Sequence, residues 1–287
     1  DLPNQKVRFG DIIGRTSEIV NLVDFAGKIA GTDMIVSLRG ATGTGKDLFA
    51  KAIHTASDRP GPFVPICCAS LPEQLLESEL FGYVGGAFTG CRKEGKAGLF
   101  EIARDGTVLL DEITEMPLNS QAKILRLIQE KRVRRIGGSE EIPINSRIIT
   151  ATNRNLEQLV DEKQFRQDLY YRINVLPIHI PPLQERVADI PLLANHFLFQ
   201  LGQEMGRDVL TFTPAAMNKL CRHDWPGNVR ELKNVLSRAA ILTDCETIDV
   251  GVILFSHEIN RNNQRKERPV QDKQNESLSL KTQVAAY

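Results

Sequence analysis

A short glycine-rich segment limits the possible folds of this chain more than any other feature. Residues 40–47 read GATGTGKD, and they lie between an apolar run, MIVSLRG (34–40), and a stretch with helical spacing, KDLFAKAIHTAS (46–57). The order of strand, G-x-x-x-x-G-K and helix is that of a phosphate-binding loop, whose backbone N–H groups and helix N-terminus form an anion cradle. The segment therefore predicts an α/β nucleotide-binding fold in which Lys46 reaches the β- and γ-phosphates.

Strands and helices alternate through the first two thirds of the chain. The predicted strands are PFVPICC (62–68), GTVLLDEI (106–113) and SRIITATN (146–153), and the predicted helices are PEQLLESELFG (72–82) and SQAKILRLIQEKRV (120–133). Such alternation predicts a parallel sheet with helices on both faces. Ligands of these sheets bind outside the carboxyl ends of the strands.

Two of the predicted strands end in polar pairs. Asp111 and Glu112 lie at the C-terminal end of the strand that contains LLDEI, and Thr152 and Asn153 end RIITATN. A carboxylate at the first position can hold Mg²⁺, and its neighbour can polarise a water aimed at the γ-phosphate. We expect these roles of Asp111 and Glu112, and we expect Asn153 to sense the γ-phosphate or to orient the water.

The residue after Lys46 departs from the general motif. A Ser or Thr usually helps to hold Mg²⁺ there, whereas this chain has Asp47. A carboxylate is also a hard oxygen ligand, directly or through water, so Asp47 and Asp111 are the expected Mg²⁺ ligands. The residues expected around the phosphates and the metal are Gly40, Thr42, Gly43, Thr44, Gly45, Lys46, Asp47 and Asp111.

The chain changes character after residue 183. Three stretches with helical spacing follow, at 189–206, 213–225 and 228–243, with no strong strand between them. We predict a linker at 1–8, an α/β nucleotide-binding subdomain at 9–183 and a helical subdomain at 184–255. Residues 257–276 have the composition of a flexible linker, and we expect the natural protein to continue beyond the helical pattern that stops at Tyr287.

Composition narrows the class of protein. Lys and Arg total 36, as do Asp and Glu, so the net charge of zero does not indicate a nucleic-acid or membrane partner for this part of the protein. The five cysteines form no C-x-x-C pair, which favours reduced thiols and a cytoplasmic protein. The scattered histidines disfavour a structural metal, and no apolar run reaches the ~18 residues of a membrane span.

A second glycine-rich segment is harder to explain by folding alone. Residues 85–98 read GGAFTGCRKEGKAG, and five of these fourteen residues are glycine, so the backbone is costly to order. Phe88 lies in the middle of this segment. A large apolar side chain at such a place is useful if a partner supplies the pocket that buries it.

Together these segments resemble the AAA+ ATPase domain of bacterial enhancer-binding proteins, the transcription activators of sigma-54 RNA polymerase. The resemblance runs from about Phe9 to Leu254, and its motifs are ELFGYVGGAFTGCRK, DGTVLLDEI, FRQDLYYRINV, IPPLQERVADIPLLA and WPGNVRELKN. It implies an AAA+ P-loop NTPase with a parallel sheet flanked by helices, followed by a small all-α lid. It also implies ATP and Mg²⁺ as cofactors.

The resemblance also assigns residues outside the phosphate loop. Arg166 and Arg172 match arginine fingers that enter the site of the adjacent subunit, and Arg230 matches the sensor-2 arginine of the lid. Ile12 and Ile13 match the segment that packs against adenine. The sigma-54 contact would be made by the GAFTG residues, and chiefly by the Phe and Thr among them: Gly86, Ala87, Phe88, Thr89 and Gly90.

The family resemblance implies a mechanical cycle. If the fingers act in trans, a monomer has an incomplete site, so activity requires a ring, which is hexameric in most of the family. Hydrolysis would move the GAFTG loop against sigma-54 and convert the closed promoter complex of the RNA polymerase holoenzyme to an open one. Enhancer DNA would be bound by a C-terminal domain missing from this chain.

Three residues depart from the family pattern. Cys91 replaces the last alanine of GAFTGA, and Ala41 replaces the glutamate that usually follows the first phosphate-loop glycine. Cys67 stands where the family has an asparagine that hydrogen-bonds the catalytic glutamate. Because a thiol is a weak donor, we expect Glu112 to be less restrained here and basal hydrolysis to depend less on target engagement.

Two other classes of function compete with this interpretation. One is a DNA-binding regulator of the same family that binds nucleotide and oligomerises without engaging sigma-54; GTGKDLFA resembles the aromatic-amino-acid regulators of this kind, whereas the intact GAFTG argues against it. The other is a different AAA+ remodeller, such as a protease-associated unfoldase. Those enzymes lack WPGNVREL.

Overall fold

The computed structural model describes residues 6–88, 92–207 and 210–255. The helices are α1 (Ser17–Ala30), α2 (Lys46–Ala56), α3 (Glu73–Phe81), α4 (Leu99–Ile102), α5 (Leu118–Glu130), α6 (Leu156–Asp161), α7 (Gln167–Ile173), α8 (Ile190–Met205), α9 (Pro214–Cys221) and α10 (Asn228–Leu242). The strands are β1 (Val36–Arg39), β2 (Phe63–Cys67), β3 (Gly82–Tyr83), β4 (Lys96–Ala97), β5 (Thr107–Asp111), β6 (Arg132–Arg134), β7 (Glu141–Pro143), β8 (Arg147–Thr152), β9 (Leu176–His179), β10 (Thr211–Phe212) and β11 (Thr247–Ile248).

A five-stranded sheet forms the centre of the larger part of the molecule. Its strand order is β2-β5-β8-β1-β9, and every pairing is parallel. Side chains of β5 alternate between the two faces: Val108 and Leu110 belong to one buried apolar cluster and Leu109 to another. The sheet is thus buried on both sides, which confirms the predicted parallel sheet covered by helices.

The predicted helix at 120–133 was wrong at its C-terminal end. Helix α5 ends at Glu130 because Lys131 adopts a left-handed conformation (φ 53°) and donates its N–H to the carbonyl of Leu127. The chain then pairs β6 with β7 in an antiparallel hairpin, which buries Val133. The sequence analysis also did not assign α1.

Contacts divide the chain into two compact units. The first comprises the residues up to His196 together with Leu220–Lys233, and the second comprises Phe197–Lys219 with the residues from Asn234 onward. Because this division does not follow one cut along the sequence, the boundaries at 183 and 255 stay a prediction. The predictions for 257–276 and for the last helical pattern lie outside the described residues.

Within its described residues, the second unit contains parts of α8, α9 and α10 and one short strand pair. The two-residue strands β10 and β11 pair in parallel, a feature that the apolar pattern did not predict. Lys219 donates to the carbonyl of Ile253 at 2.7 Å, and Arg207 donates to the carbonyl of Ala240 at 2.8 Å. In the described part of the chain, every helix is too short or too polar to cross a bilayer.

Candidate nucleotide site

The phosphate loop follows β1 and leads directly into α2. Lys46 is the first residue of that helix, and it is buried. Its Nζ donates to the carbonyls of Gly40 at 2.9 Å and Ala41 at 3.3 Å, so the amine lies folded over its own loop. Burial lowers the pKa of Lys46, as does the positive charge of Arg230, while Glu112 and Asp111 oppose this change.

Glu112 occupies an unusual backbone conformation at the carboxyl end of β5. Its φ and ψ are both 49°, in the left-handed region that non-glycine residues rarely adopt and that is frequent at functional sites. Its N–H donates to Oδ1 of Asp111 at 3.0 Å. Burial raises the pKa of Glu112, although Lys46 partly counteracts this effect, and a carboxylate with a raised pKa is a better proton acceptor for a water molecule.

Asn153 connects this acidic pair to the phosphate loop. Its backbone N–H donates to Oε2 of Glu112 at 3.4 Å, and its Nδ2 donates to Oγ1 of Thr42 at 2.9 Å. Thr152 ends β8, and its hydroxyl forms a hydrogen bond of 3.0 Å with the hydroxyl of Thr114. The polar ends of three parallel strands therefore meet at one edge of the sheet.

The residues expected to hold Mg²⁺ fit that role unequally. Asp111 and Glu112 bring carboxylate oxygens, the preferred ligands of this ion, to the same strand end as Lys46, whose positive charge they stabilise. The carboxylate of Asp47 instead pairs with Lys51 at 2.7 Å, one turn along α2. The metal role of Asp47 stays a prediction, as does that of Asp111.

The segment WPGNVREL packs onto the phosphate loop more closely than the sequence suggested. Asn228 is buried, donates from Nδ2 to the carbonyl of Thr42 at 3.0 Å, and accepts at Oδ1 from the N–H of Leu183 at 2.7 Å. The N–H of Arg230 donates to the carbonyl of Gly43 at 3.3 Å. The sequence analysis singled out Arg230 and overlooked Asn228, although Asn228 directly follows Trp-Pro-Gly in the same motif.

Arg186 and Asp189 are two further residues that the sequence analysis missed. Arg186 is buried and donates to the carbonyl of Thr44 at 3.1 Å, and its burial lowers its pKa. Asp189 accepts from the N–H groups of Arg15 at 2.7 Å and Thr16 at 3.0 Å. Their only sequence signal is their position within IPPLQERVADIPLLA.

Asp189 also fixes the chain segment predicted to contact adenine. Because Asp189 binds residues 15 and 16, it anchors the stretch that directly follows Ile12 and Ile13. Both isoleucines are half-buried, and Ile12 packs against the apolar cluster on one face of the sheet. The adenine contact of the two residues stays a prediction.

Helix α7 carries the predicted arginine fingers on the surface of the first unit. Arg166 precedes the helix and pairs with Asp168 at 2.7 Å, and Arg172 lies exposed in its last turn. The N–H of Arg166 donates to Oε1 of the buried Gln121 at 2.9 Å. Arg166 is therefore engaged with its own helix, and its finger role stays a prediction, like that of Arg172.

The GAFTG segment extends from a short hairpin formed by β3 and β4. Its base is fixed by backbone bonds, because the N–H of Val84 donates to the carbonyl of Ile136 at 3.1 Å. Phe88 contacts the edge of the Tyr83 ring, with ring centres 5.0 Å apart, and keeps 44% of its surface exposed. Thr89, Gly90 and Cys91 lie outside the described residues.

The fold and site together define an AAA+ P-loop NTPase. The parallel sheet, the phosphate loop and the acidic strand end are its nucleotide-binding core, and a family model of the AAA+ ATPase lid domain matches residues 184–272. A second family model, that of the Sigma-54 interaction domain, matches residues 12–179. Since that match covers more than half of the chain, the chain belongs to the sigma-54 interaction domain family.

Curated relatives and solved structures agree with this assignment. The chain is 47% identical over 253 residues to the regulatory protein AtoC of Escherichia coli strain K12, covering 88% of this chain and 53% of AtoC. It is 49% identical over 243 residues to the Nif-specific regulatory protein of Azotobacter vinelandii, covering 84% of this chain and 46% of the relative. The chain thus spans about half the length of the curated relatives it matches.

Solved structures of NtrX from Brucella abortus share the fold. The complex of NtrX with ADP has a TM-score of 0.79 and 34% identity over 86% of this chain and 55% of NtrX. The complex with ATP has a TM-score of 0.78 and 34% identity over 85% of this chain and 54% of NtrX. RuvB of Thermotoga maritima, at 13% identity and a TM-score of 0.60, shares the fold alone.

Proposed function

We propose that this chain is the ATP-hydrolysing domain of a transcription activator that remodels sigma-54 RNA polymerase holoenzyme. The observation that carries the proposal is the meeting of Lys46, Glu112 and Asn153 at one sheet edge, in a chain that also presents Phe88 on the surface. Membership of the sigma-54 interaction domain family supports the choice of target. The bound nucleotides of NtrX support ATP as the substrate.

The residues of one protomer supply binding and water activation. The phosphate loop would bind the β- and γ-phosphates, and Lys46 would leave its loop carbonyls to contact them. Glu112 would polarise the attacking water, which its raised pKa favours, and Asn153 would report on the γ-phosphate. When bound, Mg²⁺ neutralises phosphate charge, and Asp111 is the residue best placed to hold it.

The remaining positive charge would come from a neighbouring protomer. Arg166 and Arg172 lie on the surface at α7, so they are available to a second copy of the chain. An arginine supplied in this way can accelerate phosphoryl transfer by ~10³–10⁵. We therefore propose a ring, with six protomers as the expected number.

The GAFTG loop would transmit the nucleotide state to sigma-54. Its stem bonds to the segment after β6, and its apolar tip is available to a partner. As in the family it resembles, enhancer DNA would be bound by a part of the natural protein outside this chain. The site of action would be the bacterial cytoplasm, where the transcription machinery resides.

ATP-dependent open-complex formation at a sigma-54 promoter tests this proposal against its alternatives. We expect the parent to form open complexes, and we expect Thr89→Ala to abolish them while hydrolysis persists. If the parent hydrolyses ATP but does not act on the sigma-54 holoenzyme, a different AAA+ remodeller is indicated. If the parent binds ATP without hydrolysing it, a nucleotide-binding regulator that does not engage sigma-54 is indicated.

A further inference from the structure

An ion pair joins the entrance of the phosphate loop to the helices that follow β8. Arg39 is the last residue of β1 and directly precedes Gly40. Its Nη1 donates to both carboxylate oxygens of Glu157 on α6, at 2.7 and 3.0 Å. The side chain of Arg39 is only 11% exposed, so this pair is shielded from water on the arginine side.

Hydrogen bonds continue this connection to α7. The hydroxyl of Tyr170 donates to Oε1 of Glu157 at 2.8 Å, and Nδ2 of Asn174 donates to the Tyr170 hydroxyl at 3.0 Å. Tyr170 lies on α7 between Arg166 and Arg172. A chain of four polar side chains thus runs from the phosphate loop to the helix that carries both predicted fingers.

The geometry of Arg39 is poor for a purely structural ion pair. Within the described part of the chain, its Nε and Nη2 are buried and have no hydrogen-bond partner. A buried donor without a partner costs about 1–3 kcal/mol, more when it is charged, and an apolar residue would avoid that cost. A guanidinium that contacts a carboxylate through one nitrogen can also rotate to a two-nitrogen contact, so the pair has a second arrangement available.

A second anchor holds the other end of α7. The buried Gln121 donates to the carbonyls of Met116 at 2.8 Å and Gln164 at 3.2 Å, and it accepts from the N–H of Arg166. Met116 follows Glu112 by four residues, so this anchor starts from the acidic strand end. Both ends of α7 are therefore connected, through Glu157 and Gln121, to segments that adjoin nucleotide-site residues.

We propose that Arg39 and Glu157 are positioning residues that set the orientation of α7 according to the occupancy of the phosphate loop in the same protomer. Nucleotide binding at Gly40 shifts Arg39, and Glu157 and Tyr170 transmit the shift to Arg166 and Arg172. Each protomer thereby adjusts the fingers that it offers to its neighbour. This inference rests on the proposed function, because it requires fingers that act in trans.

Steady-state kinetics of Glu157→Gln give the first test. We expect the Kd for ATP to stay within twofold of that of the parent and kcat to fall roughly 10-fold or more, the effect of losing a hydrogen bond to a charged group. Glu130→Gln is the matched control, because the side chains of Glu130 and Glu157 are similarly exposed, at 43% and 47%, and Glu130 also pairs with an arginine, Arg126, at 2.8 Å. We expect the control to change neither value.

Mixed rings separate a positioning role from a local structural one. Glu112→Gln protomers bind ATP without hydrolysing it and keep the connection from Arg39 to α7, so they can offer correctly oriented fingers to Glu157→Gln neighbours. We expect the rate per Glu157→Gln site to rise towards the parent rate as Glu112→Gln protein is added. A rate that stays low shows that Glu157 acts within its own site and overturns the proposal, as does a normal kcat of Glu157→Gln alone.

Hydrogen exchange tests the connection without hydrolysis. Adding a non-hydrolysable ATP analogue should slow exchange at residues 167–173 in the parent but not in Glu157→Gln, while exchange in α2 slows in both proteins. Equal slowing of α7 in both proteins overturns the proposal. A parent that binds ATP without hydrolysing it contradicts the proposed function instead, and the exchange result still decides the inference about Arg39 and Glu157.

Discussion

The phosphate loop and the GAFTG loop are both glycine-rich, but they differ in how closely neighbouring residues pack around one glycine of each loop. Gly43 and Gly86 have almost the same φ, 82° and 81°, in the range that favours glycine. A Cβ on Gly43 would lie 2.4 Å from the carbonyl oxygen of Gly227, whereas a Cβ on Gly86 would meet nothing within 4 Å among the residues that the structure describes. Among the described residues, tertiary packing thus demands glycine at Gly43, whereas at Gly86 the demand comes from the left-handed backbone.

This difference distinguishes the phosphate loop, a preorganised site, from the GAFTG segment, which presents apolar surface to a partner. Around the phosphate loop, Asn153, Asn228 and Arg186 donate hydrogen bonds to loop residues and hold the loop in place. Preformed polar groups of this kind need little reorganisation during reaction. In the GAFTG segment, the large side chain Phe88 remains 44% exposed, which leaves apolar area for burial against another protein.

The largest expected effect comes from the acidic strand end. Glu112→Gln should reduce kcat roughly 10²–10⁴-fold, because a general base is lost, while ATP binding is retained. Hydrolysis by the parent should also decline as the pH falls through the raised pKa of Glu112. Steady-state assays across pH check both results, with Glu115→Gln as the control; comparable losses in both variants would contradict a specific role of Glu112.

The same substitution should stabilise the fold. Because the pKa of Glu112 is raised in the folded state, the native protein binds its proton more tightly, and stability falls as pH rises through the range between the ordinary and the raised value. Gln removes this penalty. We expect the Tm of Glu112→Gln to exceed that of the parent at pH 8 and the difference to shrink at low pH. A lower Tm of the variant at pH 8 would show that the ionised Glu112 side chain does not destabilise the folded state.

Matched glycine substitutions test the comparison of the two loops itself. Gly86→Ala should cost about 1–2 kcal/mol, the price of a left-handed backbone for a residue with a Cβ. Gly43→Ala should cost at least about 1 kcal/mol more, since residues around Gly227 must also shift, as when a core is overpacked. Denaturant unfolding measures both, and equal losses would mean that the phosphate loop is not held by its packing.

Asn228 offers a finer test of that packing. Asn228→Asp keeps the acceptor for the N–H of Leu183 but loses the donor to the carbonyl of Thr42, so we expect about 1–3 kcal/mol of destabilisation. ATP affinity should fall with it, because the loop loses a support. Thermal unfolding and ATP titration measure the two effects. An unchanged Kd for ATP would show that Asn228 does not support nucleotide binding.

Much of this site could be predicted from the sequence, because short segments encode it. The phosphate loop, the end of β5 and the end of β8 each occupy a few consecutive residues, and the parallel sheet brings their carboxyl ends together. The contacts of Asn228 with Thr42 and of Asp189 with Thr16 join residues 186 and 173 positions apart, and no local pattern contains them. The β6–β7 hairpin was missed because the helical pattern of α5 runs past the left-handed Lys131.

The smallest expected effect concerns Cys67. Cys67 is exposed and stands in register with Asp111 on the neighbouring strand. If an asparagine there restrains Glu112 better than a thiol does, Cys67→Asn should lower the basal rate of hydrolysis by a few-fold, roughly the effect of one neutral hydrogen bond. An unchanged or higher basal rate without sigma-54 would count against this restraint.

The coupling of hydrolysis to the exposed Phe88 is the central claim, and one paired measurement tests it most directly. Open-complex formation at a sigma-54 promoter and ATP hydrolysis should be followed in the same reactions for the parent and for Phe88→Ala. We expect the variant to hydrolyse ATP at close to the parent rate and to form no open complexes. Open complexes formed by Phe88→Ala at the parent rate would contradict the account.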